Sequence, residues 1–337
     1  MNWITRMWYQ GAWYQWLFLP LSAVFAVISG LRRCFFQRGW FKQTRVGVPV
    51  IVVGNISVGG NGKTPLVVAL CDALKQAGFR VGVVSRGYGA KATHFPFDVN
   101  PDLSSDMTGD EPLLIARRCG VPVVIDPVRP RGANHLISQH QCDVIISDDG
   151  LQHYALARDI ELVVVDGRLF GNGKLMPMGP LREGMWRLSA VDAIIFNKGS
   201  AEVNIPAELS RFNPIPMRFT PGDLINVKHS EMQIQVSELA LRNQHISAMA
   251  GIGDPQRFFT QLAQMGLTVS NTIALPDHHA ITIADIPAGT VIMTEKDAVK
   301  VSNIAHDDCW YQPVSASMPD DFYTNIIEQL RRFMQRH

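Results

Sequence analysis

The chain is poor in the features that mark exported, metal-stapled or nucleic-acid-binding proteins. Its 337 residues include five cysteines, Cys34, Cys71, Cys119, Cys142 and Cys309, and no two of them form a C-x-x-C pair. Neither a disulfide framework nor a zinc site is encoded, and a reducing cytoplasm fits best. Charge of one sign is missing too. Lys and Arg number 31 against 30 Asp and Glu, a net +1, which leaves no global basic bias toward nucleic acid. There is no internal repeat and no low-complexity tract. A signal peptide is a poor fit, because a positive n-region is nearly absent and Arg32, Arg33 and Arg38 follow the apolar run. The length suffices for two domains and a large core.

What the N-terminus does hold is aromatic. Trp3, Trp8, Tyr9, Trp13, Tyr14 and Trp16 crowd its first turns, and Leu17 to Ser29 is apolar apart from Ser22. Aromatics at one end and cations at the other mark a membrane-interface segment. As a helix, Trp16 to Ser29 is about 21 Å long, short of the roughly 30 Å hydrocarbon core, and Pro20 sits within it. A buried first helix of the globular part is the alternative. The favoured reading is a helix lying in, or dipping into, the cytoplasmic face of a membrane.

The sharpest signal is Ser57-Val58-Gly59-Gly60-Asn61-Gly62-Lys63-Thr64-Pro65. The apolar strand Val50-Ile51-Val52-Val53 runs into it, and a helix-length segment, Leu66 to Ala77, follows. Strand, glycine-rich turn, Lys-Thr and helix make the layout of a P-loop. Glycines let successive N–H groups face an anion, and the helix N-terminus adds its positive dipole end. Lys63 reaches the outer phosphates and Thr64 offers a hydroxyl to Mg²⁺. Pro65 fits the first helical turn. Where the pattern wants its first glycine, this chain has Ser57.

Further strands are expected at Arg80 to Ser85, Val121 to Ile125, Val144 to Ser147, Ile160 to Asp166 and Ala193 to Asn197. Near-continuous apolar strands alternating with helices predict an α/β fold, a parallel sheet covered on both faces. Ligands in such sheets bind outside the carboxyl ends of the strands. Ser57–Thr64, Arg86–Tyr88, Asp126–Arg131 and Asp148–Asp149 all fall at such ends. An acid after a hydrophobic strand makes Asp148 or Asp149 the expected partner of Mg²⁺. Thr108-Gly109-Asp110-Glu111-Pro112 opens a helix, where acids in the first turn are also ordinary capping chemistry. From about Pro214 the texture changes to a second, smaller α/β domain, and Asp320 to Arg336 reads as an amphipathic helix. The expected division is 1–33, an N-terminal membrane helix; 34–213, a P-loop domain; 214–318, the smaller domain; and 319–337, a terminal helix packing back on the P-loop domain.

A P-loop alone does not separate kinase, motor, switch and transporter. A GTPase wants Asn-Lys-x-Asp, and Asn197-Lys198-Gly199-Ser200 lacks the Asp. No Leu-Ser-Gly-Gly-Gln segment of the transporter type occurs. Phosphoryl transfer to a hydroxyl needs a base and cations near the γ-phosphate. Asp110, Glu111, His153, Asp277, His278 and His279 are candidates for the base or its helper, and Arg86, Arg129, Arg131 and Arg182 for the charge. A membrane-associated P-loop ATPase or switch with a protein partner is the competing reading.

Eight colinear segments carry a resemblance. They are Val58 to Pro65, Ser85-Arg86-Gly87-Tyr88, Thr108 to Pro112, Asp148-Asp149-Gly150-Leu151-Gln152-His153, Gly179-Pro180-Leu181-Arg182-Glu183, Gly251-Ile252-Gly253-Asp254-Pro255, Pro276-Asp277-His278 and Thr294-Glu295-Lys296-Asp297. In these the chain resembles the tetraacyldisaccharide 4′-kinases, the lipid A 4′-kinases of Gram-negative bacteria, and Ser57 is a trait of that family. The resemblance implies a RecA-like P-loop domain and a C-terminal domain closing over the nucleotide. It implies ATP- and Mg²⁺-dependent phosphorylation of the 4′-hydroxyl of a tetraacylated glucosamine disaccharide 1-phosphate. The enzyme would be peripheral or monotopic on the inner membrane, with no obligate protein partner. By the same resemblance Asp110 is the general base, oriented by His278. Ser57 to Thr64 hold the nucleotide, with Lys63 on phosphate and Thr64, Glu111, Asp148 and Asp149 around the metal. Arg86 and Tyr88 face the acceptor, and Arg182 helps with phosphate charge.

Overall fold

The computed structural model describes residues 3–199, 204–241, 245–277 and 279–336. His278 lies outside the described residues. In chain order the strands are β1 (Val50–Gly54), β2 (Val81–Ser85), β3 (Phe97–Asp98), β4 (Val123–Ile125), β5 (Val144–Asp148), β6 (Ile160–Asp166), β7 (Ala193–Gly199) and β8 (Ile215–Pro221). They continue as β9 (Leu224–Asn226), β10 (Gln233–Ile234), β11 (Ile246–Ala250), β12 (Val269–Ala274), β13 (Thr290–Thr294), β14 (Cys309–Gln312) and β15 (Val314–Ser317).

The larger sheet has the order β15-β8-β7-β6-β1-β5-β2-β4-β3. It is parallel except at its edges, where β3 and β15 run antiparallel to their neighbours. Every residue of β1, β2, β5 and β6 is buried. That is why these strands read as unbroken apolar runs: helices cover both faces. On one face Leu66, Leu70 and Leu74 of the helix Lys63–Gln76 share a core with Leu113 and Ile115. On the other, Leu136 packs with Leu151, Val163 and Phe196. The edge strand β3 is tied to the helix Arg129–His140 through Asp98, whose two carboxylate oxygens share hydrogen bonds with His135 at 2.8 Å and His140 at 2.7 Å.

The smaller sheet, β10-β9-β14-β13-β11-β12, has its own apolar layers on two sides. The chain crosses to it after β8 and returns to the larger sheet with β15. β8 therefore pairs with β7, inside the larger sheet, although the sequence texture changes before it at Pro214. The edge strand β10 is only two residues long, because a helix, Val236–Leu241, follows it almost at once. The terminal helix Asp320–Arg336 places Phe322, Ile326 and Leu330, spaced four apart, in the same core as Leu66 and Leu70.

The N-terminus forms a helix Trp3–Gln10, a 3₁₀ turn Trp13–Phe18 and a helix Leu19–Gln37. The last is longer than the expected Trp16 to Ser29. Pro20 occupies its first turn, where a proline starts a helix rather than breaking one. Within Trp13–Gln37 an 18-residue stretch has a mean hydropathy of 1.6, and only 6% of that stretch is buried against the rest of the chain. A buried first helix is thereby ruled out. The segment is long and apolar enough to cross a membrane. Polar contacts tie the N-terminal part to the body: Ser22 Oγ accepts from Met178 N (2.9 Å) and donates to Leu175 O (3.0 Å), Trp8 Nε1 donates to Pro177 O (2.9 Å), and Asn172 Nδ2 donates to Gln15 Oε1 (3.0 Å).

Candidate functional site

β1 sits at the centre of the larger sheet, between β5 and β6, and releases the glycine-rich loop. The loop is braced from outside: Val58 N donates to Pro180 O (2.8 Å) and Arg182 N to Ile56 O (2.7 Å). It is braced from inside by buried amides. Asn55 Nδ2 donates to Ser57 O at 2.7 Å, and Asn61 Nδ2 to Ser57 Oγ at 3.0 Å. The Ser57 hydroxyl thus does what a glycine there could not: it satisfies Asn61 in a site that water does not reach. Gly62, the residue before the helix, has φ +90°, and a Cβ there would strike the Asn197 amide and lie 2.9 Å from the Phe219 ring. Only glycine fits. Lys63 opens the helix, and its Nζ rests between Asn55 Oδ1 (3.3 Å) and Asp149 Oδ1 (3.4 Å), 8% exposed.

Asp148 and Asp149 are neighbours with opposite electrostatics. Asp148 ends β5 fully buried; its Oδ2 accepts from Ser85 Oγ (3.2 Å) and its Oδ1 has no partner. Burial, then the charges of Glu111 and Asp149, push its carboxyl up to about 7. Asp149 turns away in a left-handed conformation, φ +46°. Burial raises its pKa as well, but Lys63 and Arg182 outweigh that and hold it below the ordinary value. Arg182 Nη1 lies 3.2 Å from Asp149 Oδ2.

Beneath them sits Arg129, 2% exposed, donating to the carbonyls of Asp148 (2.9 Å) and Asp126 (3.2 Å) with its Nε unpartnered. Burial lowers its pKa to about 10. His153 Nε2 is buried and unpartnered too, and burial followed by Arg129, Arg158, Arg32 and Arg86 lowers its pKa to about 4, so its imidazole is neutral at pH 7. The helix Leu19–Gln37 reaches this side: Arg32 Nη1 donates to Gln152 O at 3.3 Å. The orphaned atoms of Asp148, Arg129 and His153 leave polar valences that the protein does not fill by itself.

A cleft of about 630 Å³ opens between the two sheets, the size expected of a small-ligand site. Gly60, Asn61, Gly62, Lys63, Thr64 and Glu111 form one wall; Asp254, Arg257, Asp277 and Lys296 stand on the other. Thr64 and Glu111 in the cleft, with the open oxygen of Asp148, make an all-oxygen donor set that suits a hard cation such as Mg²⁺. Asp110 starts the helix Asp110–Cys119, and its Oδ2 is 3.8 Å from Lys300 Nζ.

Of the residues picked from sequence, the structure gathers Ser57 to Thr64, Glu111, Asp148, Asp149 and Arg182. Arg86 and Tyr88 are exposed, Tyr88 at 70%, in the loop next to Gly109 and Asp110. Arg131 forks onto Asp126 at 2.7 and 2.8 Å and is a surface clamp rather than a phosphate cation. His279 lies 3.6 Å from Asp285. Three lining residues escaped the sequence reading. Arg168, past the end of β6, donates to Gly60 O (2.8 Å) and Asn61 Oδ1 (3.2 Å). Asn197, on β7, donates to Asn61 O (2.9 Å), and Arg257 approaches Asn197 Oδ1 at 3.4 Å. Asp166-Gly167-Arg168 after a buried strand was a readable signal of a loop at the ligand end of the sheet.

A phosphate cradle with Lys-Thr at its rim, acids at the end of the adjacent strand and cations behind them define a P-loop phosphotransferase. The particular family follows from comparison with known proteins. The sequence model of the tetraacyldisaccharide-1-P 4′-kinases matches residues 14–331, and the chain belongs to that family. It is similar to the tetraacyldisaccharide 4′-kinase of Tolumonas auensis, 46% identical over 333 residues, 97% of each chain. It is also 46% identical to the enzyme of that name from Aeromonas hydrophila, over 97% of this chain and 96% of that one. Among solved structures it resembles LpxK from Aquifex aeolicus in complex with ATP, with a TM-score of 0.77 and 26% identity over 94% of this chain and 98% of that chain.

Proposed function

We propose that this chain transfers the γ-phosphoryl group of ATP to the 4′-hydroxyl of a tetraacylated glucosamine disaccharide 1-phosphate, a lipid A precursor. The proposal includes that the reaction takes place at the cytoplasmic face of the inner membrane. The observation that carries the proposal is the pairing of two anion-suited sites about one loop. On the cleft side the P-loop amides and Lys63 suit a triphosphate. On the side reached by the N-terminal helix, Arg182, backed by buried Arg129 and neutral His153, suits an anionic, hydroxyl-bearing acceptor.

The roles follow from this placement. Backbone amides of Ser57 to Gly62 and the ammonium of Lys63 bind the phosphate chain. Asp110 takes the proton of the sugar hydroxyl as that oxygen bonds to the γ-phosphorus and the bond to the bridging oxygen of ADP breaks. His278 orients Asp110 in the reading that the family implies. Arg182 stabilises charge on the acceptor and the moving group, and buried Arg129 holds the carbonyls of Asp126 and Asp148 behind it. Thr64, Glu111 and Asp148 are the residues that would hold Mg²⁺, which when bound neutralises phosphate charge; Asp149, clamped between Lys63 and Arg182, keeps those two cations in register. Arg86 and Tyr88, exposed beside Gly109, are placed to meet the acceptor at the entrance. The exposed face of Leu19–Gln37, with Trp13, Trp16 and Leu17 ahead of it, docks the enzyme on the bilayer that holds its substrate.

One experiment tests both parts. The full chain is mixed with γ-labelled ATP, Mg²⁺ and vesicles carrying the tetraacyl disaccharide 1-phosphate, and the vesicles are floated. Label on the acceptor and protein in the floated fraction are the expected result. Hydrolysis that ignores the acceptor and responds to a protein partner would replace the kinase by an ATPase switch. Protein left in the soluble fraction would remove the docking.

A further inference from the structure

Thr294-Glu295-Lys296-Asp297 has a position that its sequence does not explain. β13 ends at Thr294, and the helix Glu295–Val301 starts at once. Its first turn is held rigidly. Asp297 is wholly buried and accepts from Gly251 N (2.8 Å), Thr294 Oγ1 (2.5 Å) and Lys300 Nζ (3.0 Å). Glu295 is gripped from across the cleft, its two oxygens 3.0 and 2.9 Å from Arg118 Nη1 on the helix that Asp110 opens. Between these two anchors stands Lys296.

Lys296 Nζ lies 3.3 Å from Glu111 Oε1 and 3.2 Å from Asp277 Oδ1, and its side chain is 16% exposed. Glu111 belongs to the larger-sheet unit and Asp277 to the loop after β12 of the smaller one. One ammonium therefore joins carboxylates from opposite sides of the cleft, in the wall that faces Lys63 and Thr64. A lysine suits this place, because a compact point charge with three donors can serve two carboxylates at once. Without it, two like charges would face each other in a partly dry cleft, and the cheapest relief is for one side to move away.

We propose that Lys296 is a positioning residue for phosphoryl transfer: it pins Glu111 to Asp277 and so fixes the metal-side and base-side groups relative to each other across the closed cleft. The inference rests on the kinase reading. It adds a residue that acts through others rather than on the phosphate.

The test is steady-state kinetics on the full chain with Lys296→Met, Lys296→Arg, Asp277→Asn and the double variant Lys296→Met with Asp277→Asn. Positioning lowers kcat of Lys296→Met by about 30-fold or more while KM for ATP stays within about threefold, since P-loop amides and Lys63 still hold the nucleotide. Lys296→Arg keeps the cation and recovers to within about fivefold of the parent. The double variant is no worse than Lys296→Met by more than about twofold, because both changes cut one link. ATP affinity, read by displacement of a fluorescent nucleotide, shows that the variants are folded. A Lys296→Met enzyme with kcat within about threefold of the parent overturns the proposal, as does a loss carried by KM that arginine does not restore. Additive losses in the double variant overturn it as well. If the parent itself moves no phosphate to the acceptor, the kinase reading fails first; a working parent with an unaffected Lys296→Met enzyme sinks this inference alone.

Discussion

The two walls of the cleft are built from different chemistry. On the larger-sheet side the loop is held largely by neutral amides, with Arg168 as one charged brace on Gly60 O and Asn61 Oδ1: Asn55, Asn61 and Asn197 are at most 3% exposed and are satisfied within the wall itself. The smaller unit reaches the same cleft through charge: Arg118 on Glu295, Lys296 on Glu111 and Asp277, Lys300 near Asp110. Buried amide bonds do not respond to salt, and their geometry exists before any ligand arrives. Ion pairs at a cleft edge are screened and can be remade. The cradle is thus preorganised, while the relation between the two units is electrostatic and adjustable. An enzyme that must admit ATP, exclude water and release ADP needs both properties, and here they sit on opposite walls.

The largest effect is expected where the fixed wall is broken. Gly62→Ala puts a Cβ at φ +90° against the Asn197 amide and Phe219. The loop must shift, and its amides lose their common aim. The expected result is a fall of roughly a hundredfold or more in kcat/KM with ATP binding weakened in step, because the site no longer fits phosphate in the ground state or in the transition state. Near-normal ATP affinity in this variant would show that the wall is more pliant than its buried amides suggest.

A smaller effect is expected from the charged wall. Arg118→Ala removes the nitrogen shared by both oxygens of Glu295, whose carboxyl burial already holds above its ordinary value despite the arginine. The pair is partly exposed, so its loss costs about a fewfold to tenfold in kcat/KM. The diagnostic is salt. Raising ionic strength to about 0.5 M should slow the parent more than the variant, which has already lost the screened contact. Equal slopes with salt would mean that Arg118 and Glu295 do not contribute to closure.

The contrast between the walls also explains what could be read from sequence. The P-loop, the buried parallel strands and the acids after β5 are local patterns: each element announces its own end, and the sheet gathers those ends on one side. The N-terminal helix was expected to end with its apolar run at Ser29, but it continues through Arg32 and Arg33 to Gln37, because a helix needs no apolar face where its side chains meet solvent. Arg131 looked like Arg129 and Arg182, but its carboxylate partner, Asp126, lies five residues back. The charged wall was opaque for a different reason. Lys296 is 185 residues from Glu111, and nothing between them in the chain specifies how the two sheets face each other. The family resemblance flagged the segment Thr294 to Asp297 without assigning its chemistry. Only the packing of β13 against the cleft turns it into a bridge.

The smallest effect expected is thermal, and it measures the tension held in the fixed wall. Asp148 stands behind that wall, and its Oδ1 is buried without a partner among the described residues. Burial first, then Glu111 and Asp149, raise its carboxyl to about 7, above the roughly 3.9 of an unfolded chain. A pKa raised on folding means that the folded form holds the proton more firmly. The stabilising share of that proton is therefore complete below about pH 4 and is lost as pH rises through about 7. Asp148→Asn keeps the shape and the acceptor for Ser85 but carries no charge at any pH. In magnesium-free buffer with chelator, the variant should melt a few degrees above the parent at pH 8.5, while at pH 5.5 the gap should shrink toward zero. Its catalytic activity should be poor at both, since the oxygen that suits a cation is gone, which is the usual trade between stability and function at an active site. A gap that is the same at both pH values would place the strain elsewhere. A variant that melts below its parent at pH 8.5 would mean that the buried carboxylate is stabilised by Lys63 and Arg129 more than burial opposes it, and the fixed wall would then be electrostatic like the other.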